Sequence, residues 1–120
     1  PLALGPGLSG KHNERFIRIW GPDYATVVPG SIHDPLSAAM ALEKTDSVLP
    51  RVFQSCGTDD GLYASGLPAK AFFEKSRFDY FYGEGPGGHT WDVWDYWIPK
   101  ALDFFLAGNE ALQTGKSDSI

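Results

Sequence analysis

The run RVFQSCGTDDGLYASGLPAKAFFEKSRFDYFYGEGPGGHTWDVWDYWIPKALDFFL, Arg51 to Leu106, decides the fold. Pro50 leads into RVFQSCG, Arg51 to Gly57, a short β-rich segment closed by glycine and read as a strand. Leu62 to Lys75 reads as a helix whose regular part starts at Pro68, because Gly66 and Pro68 disfavour an earlier beginning. RFDYFYG, Arg77 to Gly83, is an aromatic strand with Tyr80, Phe81 and Tyr82 buried on both faces. After the glycine-rich loop GEGPGGHT, residues Trp94, Trp97, Ile98, Ala101, Leu102 and Phe105 fall on one helical stripe. Asp92 and Asp95 suit the positive end of that helix, and Gly108 its stop. Strand, helix, strand, loop and helix make a βαβα unit with two parallel strands and a right-handed crossover. The fold class is α/β.

Upstream, Asp34-Pro35 marks a helix start. The Asp34 carboxylate accepts from orphan N–H groups, and Pro35 lacks the N–H that would go unused. Leu36, Ala39, Met40 and Glu43 then follow helical spacing over about ten residues. In KHNERFIRIWG, Asn13 caps a short helix, Phe16, Ile17 and Trp20 share a face and Gly21 ends it. The β-rich run Phe16 to Trp20 also permits a strand, with helix favoured. GPDYATVVPGSIH reads as a loop with Asp23 in a turn, and residues 1–10 as irregular chain. Residues 1–108 form the domain and 109–120 a polar, frayed tail. Two parallel strands alone do not make a stable sheet in water, and few upstream segments look like strands. Either further strands upstream escape the pattern or, the favoured expectation, the chain is part of a larger sheet.

At 120 residues, 42% apolar and 14% aromatic, the chain can bury a core. Its net charge of −5 and lack of a basic cluster argue against nucleic-acid and anionic-membrane binding. The longest apolar run, Ala38 to Leu42, is five residues, far from a membrane span. One cysteine, Cys56, excludes an intrachain disulfide and a multi-cysteine metal site, and leaves a cytoplasmic or secreted location open. The chain opens at Pro1 without an initiator Met, so a processed N-terminus is expected.

In an open parallel sheet, sites form where loops leave the carboxyl ends of the strands. CGTDDGLY brings Asp59 and Asp60 to that edge, and GEGPGGHTW brings His89. An Asp receiving the Nδ1–H of a His, with Nε2 left to take a proton from a nucleophile, is two-thirds of a hydrolase triad. Gly85, Gly87 and Gly88 allow the His loop unusual backbone angles, while Pro86 stiffens it. Cys56 suits buried packing better than nucleophilic work, and His12 and His33 lack ligand partners at metal spacing. Trp94 belongs to the helix stripe, whereas Trp91 is a candidate to line a substrate pocket.

CGTDDGLY, followed some 30 positions on by YGEGPGGHTWDVWDYWIPKALDFF, resembles the C-terminal part of the esterase D-like family of the α/β-hydrolase fold. That family includes tributyrin esterases, S-formylglutathione hydrolase, mycolyltransferases and the feruloyl and acetyl-xylan esterases. The elements C-G-T-x-D-x-L-Y and G-x-H-x-W-x-x-W carry the likeness. LPRVFQ and DPLSAAMALEK extend it to roughly Gly21–Leu106. The resemblance implies that the triad acid falls on Asp60, with Asp59 at the variable position before it, and the base on His89. Acid then base is also the order this fold uses after an earlier Ser. The sequence departs from the family at the nucleophile. The nearest approach to G-x-S-x-G is Gly7-Leu8-Ser9-Gly10-Lys11, which lacks the last glycine and follows no strand. The oxyanion-hole loop is missing as well, and Gly61 stands where Phe is common.

The expectation is thus the C-terminal half of a serine carboxylic-ester hydrolase, its N-terminal half absent from this chain. His89 and Asp60 are catalytic, Trp91 contacts substrate, and neither a cofactor nor a metal is required. The partners implied are the chain's own N-terminal segment with the nucleophilic Ser and a small or polysaccharide-linked ester. A homo-oligomer is left open. Two rivals stand beside this: a non-catalytic hydrolase-like binding module, and an acyltransferase of the same fold.

Overall fold

The computed structural model describes residues 14–117, so Ser9, His12 and Asn13 lie outside the described residues. The elements run α1 (Glu14–Trp20), α2 (Tyr24–Val27), α3 (Pro35–Glu43), β1 (Val52–Gly57), α4 (Tyr63–Phe73), β2 (Tyr80–Gly85) and α5 (Trp91–Ser117). No helix among these residues is long and apolar enough to cross a membrane.

Local chemistry sets the upstream helices. Gly21 takes φ +86° and donates its N–H to Ile17 O at 2.8 Å, the left-handed stop that glycine allows. The expected loop that follows contains one helical turn, α2. Asp34, only 1% exposed, caps α3 by accepting from Leu36 N and Ser37 N, and Gly30 N and Ser37 Oγ also donate to it. Burial opposes its charge, yet these four bonds hold the carboxyl below its usual pKa. Arg77 anchors α3 to the rest by donating to Glu43 O and Thr45 O, each at 2.7 Å.

The two strands pair in parallel as expected, with Val52 opposite Tyr80 and Gly57 opposite Gly85. Alternation sends Phe53 and Phe81 to one face, where their rings stack at 4.8 Å and meet Trp97 and Phe104 of α5. Gln54 and Tyr80 point to the other face. Gln54 Nε2 donates to Gly66 O of α4, Tyr80 Oη donates to Gln54 Oε1, and Phe73 stacks on Tyr80. Helices thus cover opposite faces of one small sheet. Gly83 makes the close approach of α5 feasible, because a Cβ there would run into the Trp97 ring.

Several expectations need correction. α4 starts at Tyr63 and passes through Pro68, because the turn at Asp60, whose Oδ1 accepts from Leu62 N and whose carbonyl accepts from Tyr63 N, leads directly into it. Pro68 stands only one turn inside, where its missing N–H frees a single carbonyl. β2 begins at Tyr80 rather than Arg77, since Arg77 is drawn out to α3 and Phe78 is buried beside Phe72 and Phe73. That strand is not buried on both faces: Phe81 is 38% exposed.

α5 presents Val93, Trp97, Ala101 and Phe104 to the protein, leaving Ile98, Leu102 and Phe105 of the expected stripe exposed. The cause lies in the partner surface, a sheet two strands wide that covers only part of the apolar arc. Nor does α5 stop at Gly108; it continues to Ser117. Glycine in a helix interior costs about 1 kcal/mol against Ala, and Ala107, Glu110, Ala111 and Leu112 around it are good helix formers.

Candidate active site

The parallel pairing delivers the ends of β1 and β2 to one edge, and the loops there are knitted together by the main chain. Thr58 N donates to Gly85 O at 2.8 Å, extending the ladder past both strands. Asp59 N donates to Gly87 O at 3.0 Å, while Gly87 N returns a 3.0 Å bond to Asp59 Oδ2. Gly87 has φ +116°, and a Cβ on Gly57 would collide with Gly87 O. Both glycines are therefore required by the closeness of the two loops.

Asp60 follows at once. Its N–H closes a turn onto Gly57 O at 3.1 Å, and Oδ1 accepts from Leu62 N at 2.8 Å. Oδ2 stands 2.9 Å from Nδ1 of His89. The Asp60 side chain is 7% exposed, whereas the imidazole is 59% exposed. The bond from Leu62 N, outweighing burial and reinforced by His89, holds the Asp60 carboxyl below its usual pKa. An ionised Asp60 is acceptor-only, so the proton between the pair sits on Nδ1 and Nε2 of a neutral His89 is the basic nitrogen. Among the described residues nothing hydrogen-bonds that nitrogen. The His89 ring meets Trp94 edge-on at 4.9 Å, which limits its rotation.

A cavity of about 270 Å³ opens beside the pair, lined by residues of β1, α4, α5 and the two loops, among them Cys56, Asp60, His89, Val93, Trp94 and Trp97. It runs along the edge of β1 that faces away from β2. Val52 N and Thr58 N both donate toward β2, so by period-two alternation the main-chain N–H groups of Phe53 and Ser55 face that open edge.

Asp60 and His89 are thus brought together, and Asp59 is turned to Gly87 instead. Trp91 sits on the exposed first turn of α5, outside the cavity lining, with its ring edge-on to Trp94 at 4.9 Å. Cys56 lines the cavity, but burial, then the nearby Asp60 and Glu84 charges, push its thiol pKa up, opposite to the need of a nucleophile. Asp23 lies in a turn, its carbonyl accepting from Thr26 N and Val27 N. His33 rests against Trp20. Trp94 against His89 was missed because its place on the helical stripe suggested core packing. The Asx turn of Asp60 onto Leu62 had a signal, an aspartate two residues before a helix beginning.

No family model matches this chain. Over 75 residues, 62% of its length, it is 29% identical to an acetyl esterase of Caldicellulosiruptor saccharolyticus. It spans 28% of that protein. The likeness extends to an esterase-like hydrolase. It assigns no narrower family.

Proposed function

We propose that this chain supplies the acid and base of a serine carboxylic-ester hydrolase acting on short acyl esters, acetyl esters first among them. The observation that carries the reading is the His89 Nδ1–Asp60 Oδ2 contact, with Nε2 bare beside a cavity. Similarity to an acetyl esterase favours ester chemistry over a bare binding role.

In this reading the nucleophilic Ser comes from a segment preceding these elements or from a companion chain. That segment adds a strand to the open edge of β1, where the Phe53 and Ser55 N–H groups have no partner among the described residues. His89 Nε2 takes the Ser proton as the oxygen attacks the ester carbonyl, then gives it to the departing alcohol. Water attacks the acyl-enzyme in the same way, and the Ser proton is restored. Asp60 holds the imidazole in its tautomer and stabilises the imidazolium that forms. Trp94 and, further out, Trp91 form the wall against the acyl or alcohol group.

A fluorophosphonate probe followed by intact-mass measurement tests this. Label on a serine of a companion or preceding segment, blocked by His89→Ala, is the result expected. A complete protein that takes no label and hydrolyses no acetyl ester overturns the reading. Label on Ser9 places the nucleophile within this chain and overturns the separate-segment part.

A further inference from the structure

We infer that Asp59 is a positioning residue for His89: its carboxylate and its own N–H clamp Gly87, and this clamp sets the His89 imidazole against Asp60. The inference rests on the esterase reading for its catalytic consequence, and on geometry alone for its structural part.

Asp59 and Gly87 form a reciprocal pair. Asp59 N donates to Gly87 O and Gly87 N donates to Asp59 Oδ2, both at 3.0 Å. Each partner stands next to a member of the proposed dyad, Asp59 one residue before Asp60 and Gly87 two before His89. The main-chain bond alone holds only the Gly87–Gly88 peptide, whereas the carboxylate holds the Pro86–Gly87 peptide as well, so the two bonds pin both peptides that flank the Gly87 Cα. Gly87 also holds φ +116°, a conformation open to glycine, whose own backbone freedom leaves the clamp to fix the loop. His89 itself is 59% exposed, and among the described residues the Trp94 edge contact is what holds its ring besides Asp60. Its placement therefore depends on the loop beneath it. Asp59 is exposed, and its carboxylate is spent on one loop amide. That explains two adjacent aspartates with separate tasks: one contacts the base, the other holds the base's loop.

The test compares Asp59→Ala with Asp59→Asn and Asp59→Ser, which keep an acceptor oxygen with full or shortened reach. The first readout uses the complete protein and long-range ¹⁵N spectra of neutral His89. Wild type and Asp59→Asn should show mainly the Nδ1–H tautomer, and Asp59→Ala a shift toward the Nε2–H form that free imidazole favours. The second uses the complete esterase, with kcat per probe-titrated serine. Asp59→Ala should lower kcat by about 10²-fold, the cost of a misplacement near 1 Å, with KM within about twofold. Asp59→Asn should recover most of the loss and Asp59→Ser part of it. An unchanged tautomer with unchanged kcat in Asp59→Ala overturns the proposal, as does Asp59→Asn being no better than Asp59→Ala. A tautomer shift in a protein without esterase activity supports the clamp and removes the esterase reading instead.

Discussion

Asp60 Oδ2 and His89 Nδ1 meet at 2.9 Å across 29 residues of chain, one side chain nearly buried and the other open to solvent. This asymmetry suits an orienting acid beneath a working base. Asp60 keeps its charge through the Leu62 N–H, and His89 keeps access to whatever enters the cavity. Asp60→Asn preserves the shape but offers His89 an amide, which favours the wrong tautomer. It should lower kcat for an acetyl ester by about 10³–10⁴-fold with KM little changed. His89→Ala should cost at least as much. Steady-state kinetics on the complete protein check both, and a loss below tenfold would sink the dyad.

Gly57 and Gly83 should each refuse a methyl group. At Gly57→Ala the new Cβ meets backbone, the Gly87 carbonyl, which cannot rotate away. At Gly83→Ala it meets the Trp97 ring and lifts α5 from the sheet. Overpacking of this kind costs about 1–3 kcal/mol. Gly61→Ala, with nothing near its added Cβ, serves as the control. Urea midpoints rank the three.

Asp34 should matter to stability far beyond an ordinary surface acid. Asp34→Ala removes four hydrogen bonds to a side chain that is almost fully buried, a loss of about 2–3 kcal/mol. Its folded-state pKa lies below the unfolded value, so its contribution is present above the unfolded value of 3.8 and is lost as pH falls through the folded one. Denaturation curves of wild type and Asp34→Ala should stay a constant distance apart from neutral pH to about 4 and converge below. A gap that widens in acid contradicts the assignment.

The open edge of β1 gives an exchange pattern. In this chain alone, the Phe53 and Ser55 amides should exchange faster than those of Gln54 and Cys56, which face β2. In the complete protein all four should be slow if a further strand pairs there. Residue-resolved hydrogen exchange distinguishes the cases, and fast Phe53 and Ser55 in the complete protein would remove the added strand.

Much of this was legible in the residues. Asp34-Pro35 marked the start of α3 because capping is a local event between near neighbours. The β-rich runs before CGTDDGLY and within RFDYFYG located both strands, and the βαβ spacing made them parallel. That in turn put Asp60 and His89 at one edge. Register and bounds were less visible: β2 slid to Tyr80 because Arg77 is held by the carbonyls of Glu43 and Thr45 at the end of α3, a contact between residues far apart in the chain. The helix expected from Leu62 begins within a residue of it, at Tyr63, and Pro68 does not delay its regular part because the turn at Asp60 leads straight in, a contest that propensity alone does not resolve.

What the sequence alone determined is the order of elements from α3 onward, the parallel pair and the edge at which an aspartate of the first loop meets His89. These follow from period-two and period-3.6 patterning, capping and the short reach of crossovers. Only the tertiary structure decided which carboxylate takes the imidazole and which takes Gly87. Asp59 and Asp60 are chemically identical and adjacent, so neither capping nor periodicity separates them, and in the sequence only the likeness of C-G-T-x-D-x-L-Y points to Asp60. The turn of Asp60 onto Leu62 N sends one carboxylate toward His89, and the loop crossing at Gly57 and Gly87 captures the other. Likewise the face of α5 that is buried was set by the width of the sheet beneath it, a property of the assembled layers.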